Sequence, residues 1–205
     1  KVVGEVYLRI KQNLMALPGQ QLSDLKEVHS HYMAIAQCRE YFRQYPHIRL
    51  VETEDTALSA RNIRENKWEG IGAIASTLAS EMYDLNILAP GIETNKDNYT
   101  RFLVLENEEQ AKAHEVVDKV SICFAVGHEV GSLYKVLAVL AAYEINMTKI
   151  QSTPILGKPW EYRFFIDFVA TKGKVSYEQA IEAIKPLTHD LKVMGAYPRG
   201  QHFEY

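Results

Sequence analysis

Within Asp97–Leu105, "DNYTRFLVL", three polar side chains, Asn98, Thr100 and Arg101, stand directly before an apolar run that reads as a strand. An amide, a hydroxyl and a guanidinium all donate hydrogen bonds, and a guanidinium also pairs with a carboxylate through its planar fork. Further hydroxyls and amides sit at Ser30, Gln37 and Ser76, beside predicted strand or helix ends, where α/β folds turn side chains into a crevice. Spacing alone equally allows plainer roles. Asn98 and Thr100 could bond local backbone in a turn with Arg101 solvated, Ser30 could cap a helix ahead of an exposed His31, Ser76 could cap its own helix, and Gln37 and Cys38 could be core. Paired carboxylates, a Gly-x-Ser-x-Gly elbow and a phosphate-binding glycine loop are all missing from the sequence. "GIGAIA" (70–75) has two glycines but neither the third glycine nor the downstream acid of a dinucleotide site. No metal and no cofactor are expected.

The elements that must position these groups follow from periodicity. Up to about Leu105, strand-like and helix-like runs alternate as in an α/β layer: strands at 5–10, 12–17, 48–53, 70–75 and 85–89, helices at 30–42, 55–66 and 76–83. The helix after Ser30 carries Ala34, Gln37, Cys38 and Tyr41 on one face. A charged stretch, "ENEEQAKAHEVVDK", then breaks the apolar period and places a boundary between Glu106 and Asp118. Beyond it the order is βαββαβ, with strands at 120–126, 147–155, 162–171 and 191–197 and helices at 131–143 and 176–189. That order predicts a ferredoxin-like module, a four-stranded antiparallel sheet with two helices on one face.

Composition sets the class of partner. The 205 residues are 47% hydrophobic and 24% charged with a net charge of −3, an ordinary globular balance without a basic surplus for nucleic acid or anionic lipid. The longest apolar run, Val136–Tyr143, is too short to span a bilayer, and the first residues lack the apolar core and cleavage site of a signal peptide. A cytoplasmic chain with a small-molecule partner is expected. Asn98-Tyr99-Thr100 also matches a glycosylation acceptor, which is idle in that compartment. Cys38 and Cys123 lie far apart without histidines at ligand spacing and are expected to be buried thiols.

Five segments in order, "SHYMAIAQC" (30–38), "AIAS" (73–76), "NYTRFLVL" (98–105), "GSLYKVL" (131–137) and "TPILGKPWEYRFFIDF" (153–168), resemble the prephenate dehydratase family over essentially the whole chain. The resemblance implies decarboxylating dehydration of prephenate to phenylpyruvate in phenylalanine biosynthesis, without a cofactor. It also implies a periplasmic-binding-protein-like (type II) α/β catalytic region at 1–110, and an ACT regulatory domain at 118–205. Thr100 would donate to the departing oxygen, Arg101 would hold a carboxylate and Phe102 would pack behind them, with Ser30, Gln37, Ser76 and Asn98 binding substrate. The family's opening strand-helix units have no counterpart before Lys1, so the catalytic region reads as incomplete and the 205 residues alone are expected to show little turnover.

In the regulatory half the resemblance places the effector L-phenylalanine on Gly131-Ser132-Leu133 and Gln151-Ser152-Thr153-Pro154, between the sheets of a homodimer or homotetramer. Gln151 stands where the family has Glu and Thr153 where it has Arg, which implies weaker inhibition because charge-assisted contacts are gone. Arogenate dehydratase is the near alternative. A non-catalytic amino-acid-sensing protein is the alternative of another class.

Overall fold

The structure is a computed structural model that describes residues 1–170 and 176–203. In chain order the elements are β1 (Val2–Arg9), β2 (Asn13–Ala16), β3 (Glu27–His31), α1 (Tyr32–Phe42), β4 (Arg49–Thr53), α2 (Thr56–Asn66), β5 (Ile71–Ala75), α3 (Thr77–Met82), β6 (Asn86–Ala89) and β7 (Tyr99–Leu105). They continue with β8 (Lys119–Ala125), α4 (Ser132–Ala142), β9 (Asn146–Pro154), β10 (Tyr162–Val169), α5 (Tyr177–Ile184), β11 (His189–Tyr197) and β12 (Gln201–Phe203). Contacts divide the chain into two compact units: Lys1–Tyr7 with Arg101–Gln201, and Leu8–Thr100 with the residues from His202. The charged stretch 106–118 therefore lies inside one unit. The division passes through β1 and β7, which pair with each other in a three-stranded sheet of order β12-β1-β7.

The unit of Leu8–Thr100 holds a five-stranded sheet of order β4-β3-β5-β2-β6. β3 runs parallel to β4 and β5, while β2 is antiparallel to β5 and β6. Strand alternation sorts the two faces. Leu14, Val28 and Ile74 pack with Ala34, Ile35, Cys38 and Phe42 of α1, whereas Met15, Ala73 and Ala75 pack with Ala60 and Ile63 of α2 and Ala79 of α3. β5 is buried on both sides because helices cover both faces of its sheet, which is why "GIGAIA" reads as a continuous apolar run.

One strand was not expected. Residues 27–31, "EVHSH", carry a single aliphatic side chain, Val28, yet form β3 at the centre of the parallel set. This moves the helix start: Ser30 is a strand residue, and the cap of α1 is His31, whose side chain accepts from the Met33 N–H. Ser76 does cap α3, as its position suggests.

In the other unit the βαββαβ order appears as an antiparallel sheet β11-β8-β10-β9. Val120, Ile122 and Phe124 of β8 and Ile166 and Phe168 of β10 share one core with Val136 and Leu140 of α4 and with Ala180, Ile181 and Ile184 of α5, so both helices cover the same face. The predicted alternation at 120–126 and the helical spacing at 131–143 account for that core, although Ala141 is exposed. The expected last residue of the 162–171 strand, Thr171, lies outside the described residues. Both cysteines are buried free thiols, and burial, with the Glu93 charge adding to it, pushes Cys38 up to about 12. Among the described residues no helix is long and apolar enough to cross a membrane.

Gly195 in β11 marks the closest approach in this unit. A Cβ there would lie 2.0 Å from the Val2 carbonyl oxygen, a backbone atom that cannot step aside. Gly195→Ala is therefore expected to destabilise the protein by roughly 1–3 kcal/mol or more, the range for overpacking, read as a lower urea midpoint; an unchanged midpoint would contradict this packing.

Candidate functional site

A crevice of about 970 Å3 opens in the unit of Leu8–Thr100. Its wall is built from the starts of three helices: His31, Met33, Ala34 and Gln37 of α1 and its cap, Thr56 of α2, and Ser76, Thr77, Leu78 and Glu81 around α3. These helices follow β3, β4 and β5, so the crevice lies beyond the carboxyl ends of the parallel strands, where open α/β sheets bind ligands. Leu8–Gln12, from the end of β1 into β2, and Thr100 of β7 complete it.

The β1–β2 connection is pinned from below. The Gln12 N–H donates to Glu93 Oε2 at 2.9 Å, the Ile92 N–H donates to the Gln12 carbonyl at 2.7 Å, and Asn13 Oδ1 accepts from the Gly91 N–H at 3.0 Å. Arg9 Nε donates to the Lys96 carbonyl at 3.1 Å, and the Gln12 amide donates to Gln37 Oε1 at 3.0 Å. The result is a crevice with two cations on its lining, Arg9 and Lys11, one carboxylate, Glu81, and hydroxyls at Thr56, Ser76, Thr77 and Thr100. Such a lining suits an anionic small molecule that must be held by donors.

The sequence-derived residues divide at this point. Thr100, Gln37 and Ser76 line one crevice; the Ser76 hydroxyl accepts from the Ala79 N–H at 3.3 Å, and α3 has only six residues. Ser30 does not line it, because its hydroxyl, fully buried in β3, donates to the Ile74 carbonyl at 2.7 Å and links β3 to β5. Asn98 lines a second hollow with Ala36, Arg39, Arg43 and Thr94 that shares Gln37 with the crevice, and its carbonyl accepts from the Ile10 N–H at 2.8 Å. Phe102 is 52% exposed and does not line the crevice.

Arg101 also departs from the expectation. Adjacent residues of a strand face opposite ways. Arg101 belongs to the other unit, where Nε donates to Glu5 Oε2 at 2.6 Å, one terminal nitrogen to Asp167 and the other to the Tyr197 hydroxyl at 2.8 Å. Lys119 donates to the same Glu5 at 3.0 Å and to the Tyr7 hydroxyl at 2.8 Å, and Ser121 bonds Asp167 and Tyr197. Two acids and two bases thus neutralise each other. Burial pulls the Arg101 guanidinium down, but the hydrogen bond and charge of Asp167, with Tyr197 and Glu5, raise it above its ordinary value. Burial likewise pushes Glu5 up, and the bonds from Lys119 and the Gly200 N–H, with the Lys119 and Arg101 charges, bring it below the ordinary carboxyl value.

The effector-binding residues expected in the second half are placed by β9, β10 and α4. Gly131, with φ of 79°, precedes α4, and Ser132 Oγ donates to the Glu129 carbonyl at 3.1 Å. Gly131, Ser132 and Leu133 line a hollow of about 260 Å3 with His128, Trp160, Tyr162 and Phe164. Gln151, Ser152, Thr153 and Pro154 are not in its wall; they lie on the edge strand β9, where Ser152 pairs with Phe164 and Pro154 with Tyr162. Paired residues share a face, so Ser152 and Pro154 extend the surface of the hollow, while Gln151 and Thr153 face the other way.

Comparison with known proteins decides the family. The model of prephenate dehydratase matches residues 1–110, more than half of the chain. The chain belongs to the prephenate dehydratase family. It is 38% identical over 97% of its length to a bifunctional chorismate mutase/prephenate dehydratase of Aquifex aeolicus, of which it covers 54%. The chain spans about half the length of the curated relatives it matches. A solved prephenate dehydratase from Arthrobacter aurescens in complex with L-Phe superposes with a TM-score of 0.83 at 27% identity, over 97% of this chain and 66% of that one. A structure described as GqqA, a novel type of quorum quenching acylase, gives 0.82 at 28% identity, over 97% and 72%.

Sequence reasoning missed Arg9, Lys11, Thr56, Thr77 and Glu81, and it left His31 as an exposed residue after a Ser30 cap. The available signal was positional: each of His31, Thr56 and Thr77 opens a helix that follows a parallel strand.

Removing the Arg101 charge leaves Glu5 and Asp167 undercompensated in a buried cluster. Arg101→Leu is expected to cost about 3–5 kcal/mol of unfolding free energy, measured in urea; a loss below about 1 kcal/mol would return Arg101 to the solvated role. Glu5 adds a pH dependence. A carboxyl lowered in the folded state stabilises above its unfolded value and loses that contribution as pH falls through its folded value. Stability should fall below about pH 4.3, and Glu5→Gln should flatten the acid limb of a midpoint-against-pH series; identical slopes would contradict the linkage.

Proposed function

We propose that the crevice carries out the decarboxylating dehydration of prephenate to phenylpyruvate, the activity by which the family is named. The observation that carries this reading is that one crevice, at the ends of three parallel strands in a chain of this family, gathers Thr100 with Gln37, Ser76 and two cations. The substrate is a dianion whose ring becomes aromatic when it loses carbon dioxide and hydroxide. The electron pair of the breaking C–C bond enters the ring, and the C–O pair leaves with the oxygen. Aromatisation drives the step, so the protein's part is to hold the dianion and stabilise the departing oxygen. Arg9 and Lys11 meet the carboxylates, the task first assigned to Arg101, and the Thr100 hydroxyl donates to the leaving oxygen. No base is required.

In this reading residues 1–110 are the catalytic domain, of periplasmic-binding-protein-like type, and residues 118–205 are an ACT domain that takes L-phenylalanine. The hollow beside Gly131–Leu133, with Ser152 and Pro154 on the adjoining surface, supplies the effector site, and a second chain closes it in a homodimer or homotetramer. The Phe-bound relative supports this assignment. The chain works in the cytoplasm, without nucleic acid or membrane. An acylase reading lacks its machinery, since a hydroxyl nucleophile needs an adjacent base, and among the described residues no hydroxyl of the crevice is bonded to His31.

The test is phenylpyruvate formation by the full-length protein from prephenate and, in parallel, from arogenate, each with and without L-phenylalanine. Thr100→Ala is expected to keep its fold by circular dichroism and lose on the order of a hundredfold or more in kcat, with phenylalanine lowering the wild-type rate. Full activity of the variant would end the catalytic assignment, and no product from either substrate would favour an amino-acid sensor.

A further inference from the structure

His31 occupies a special place in the crevice. It is the last residue of β3 and the cap of α1, half-buried, with its ring 4.5 Å from that of Tyr32. Its Nδ1 accepts the Met33 N–H at 3.3 Å. A nitrogen that accepts carries no proton, so the neutral ring holds its proton on Nε2. Among the described residues Nε2 has no hydrogen-bond partner, although the side chain lines the crevice with Thr100. An N–H of a crevice-lining side chain with no protein partner is left to water in the free protein and is open to a ligand that enters the crevice.

The neighbouring groups decide which ligand atom it serves. Arg9 and Lys11 on the same wall are cations, against the single carboxylate of Glu81. A neutral N–H adds little to a carboxylate already paired with cations. It adds most to an oxygen on which charge develops only during reaction, because it is fixed in advance by the cap and by the Tyr32 ring.

We infer that His31, through its Nε2–H, is a second donor to the departing hydroxyl oxygen, acting beside Thr100; this rests on the dehydration reading above. The imidazole keeps its proton throughout. The oxygen leaves as hydroxide, hydrogen-bonded to Nε2–H and to the Thr100 hydroxyl, and takes its second proton from water. The capping bond has a functional sense here: it fixes the tautomer, so that the ring offers a donor instead of a lone pair.

The test separates cap from donor. His31→Asn retains a good N-cap residue but removes the ring N–H, and His31→Ser is the second variant should Asn fail to fold. In the full-length protein, the folded variant is expected to keep its unfolding midpoint, to lose on the order of a hundredfold in kcat and to hold KM within a few fold. Unchanged kcat overturns the proposal, as does a raised KM with unchanged kcat, which would make His31 a ground-state ligand. A 15N spectrum of the labelled wild type, taken where the ring is neutral, should show its proton on Nε2, and a neutral ring with its proton on Nδ1 overturns the proposal independently of turnover. Wild-type protein that dehydrates neither prephenate nor arogenate, with the Nε2–H tautomer present, overturns it by way of the dehydration reading and leaves the ring geometry standing.

Discussion

A buried cluster of two acids and two bases organises the unit that joins the first seven residues to the C-terminal sheet. Glu5, from β1, is held by Arg101 of β7 and Lys119 of β8, and Arg101 reaches on to Asp167 of β10 and Tyr197 of β11. Ions so far from water persist only when charges balance and hydrogen bonds satisfy what remains, and this cluster meets both conditions with the help of Tyr7 and Ser121. Its geometry claims every edge of the Arg101 guanidinium. That single commitment explains why contacts divide the chain at Thr100/Arg101 instead of in the charged stretch 106–118.

The crevice illustrates how a parallel layer makes a site. Three helices begin where three parallel strands end, so their first residues converge whatever their separation along the chain. His31, Thr56 and Ser76 are 25 and 20 residues apart and meet on one wall. The apolar pattern of each element does nothing to identify them. It only places the helices, α1 on one face of the sheet and α2 and α3 on the other, and the convergence follows.

Much of the architecture was legible because burial imposes period. The 3.6-residue spacing in α1, α4 and α5 and the run of β5 were readable, and the βαββαβ order of the second half needed little more than counting elements. β3 was not legible. "EVHSH" has one aliphatic residue, and its place in the sheet is secured by backbone pairing on both sides and by the Ser30 hydroxyl on Ile74. Reading Ser30 as a helix cap followed from the common preference for serine there; the strand claimed it, and the cap passed to His31.

By itself the sequence determined the class of fold, the family and the identity of Thr100 as the hydroxyl to examine, since periodicity and ordered motifs are properties of the chain alone. Which way each polar side chain faces was decided by tertiary structure. In a strand the two faces are distinguished only by what packs against them, so "TR" cannot declare which member lines the crevice and which meets Glu5 and Asp167. Ser30, Arg101 and Phe102 were reassigned for that reason, and the same geometry set the His31 ring in the crevice wall.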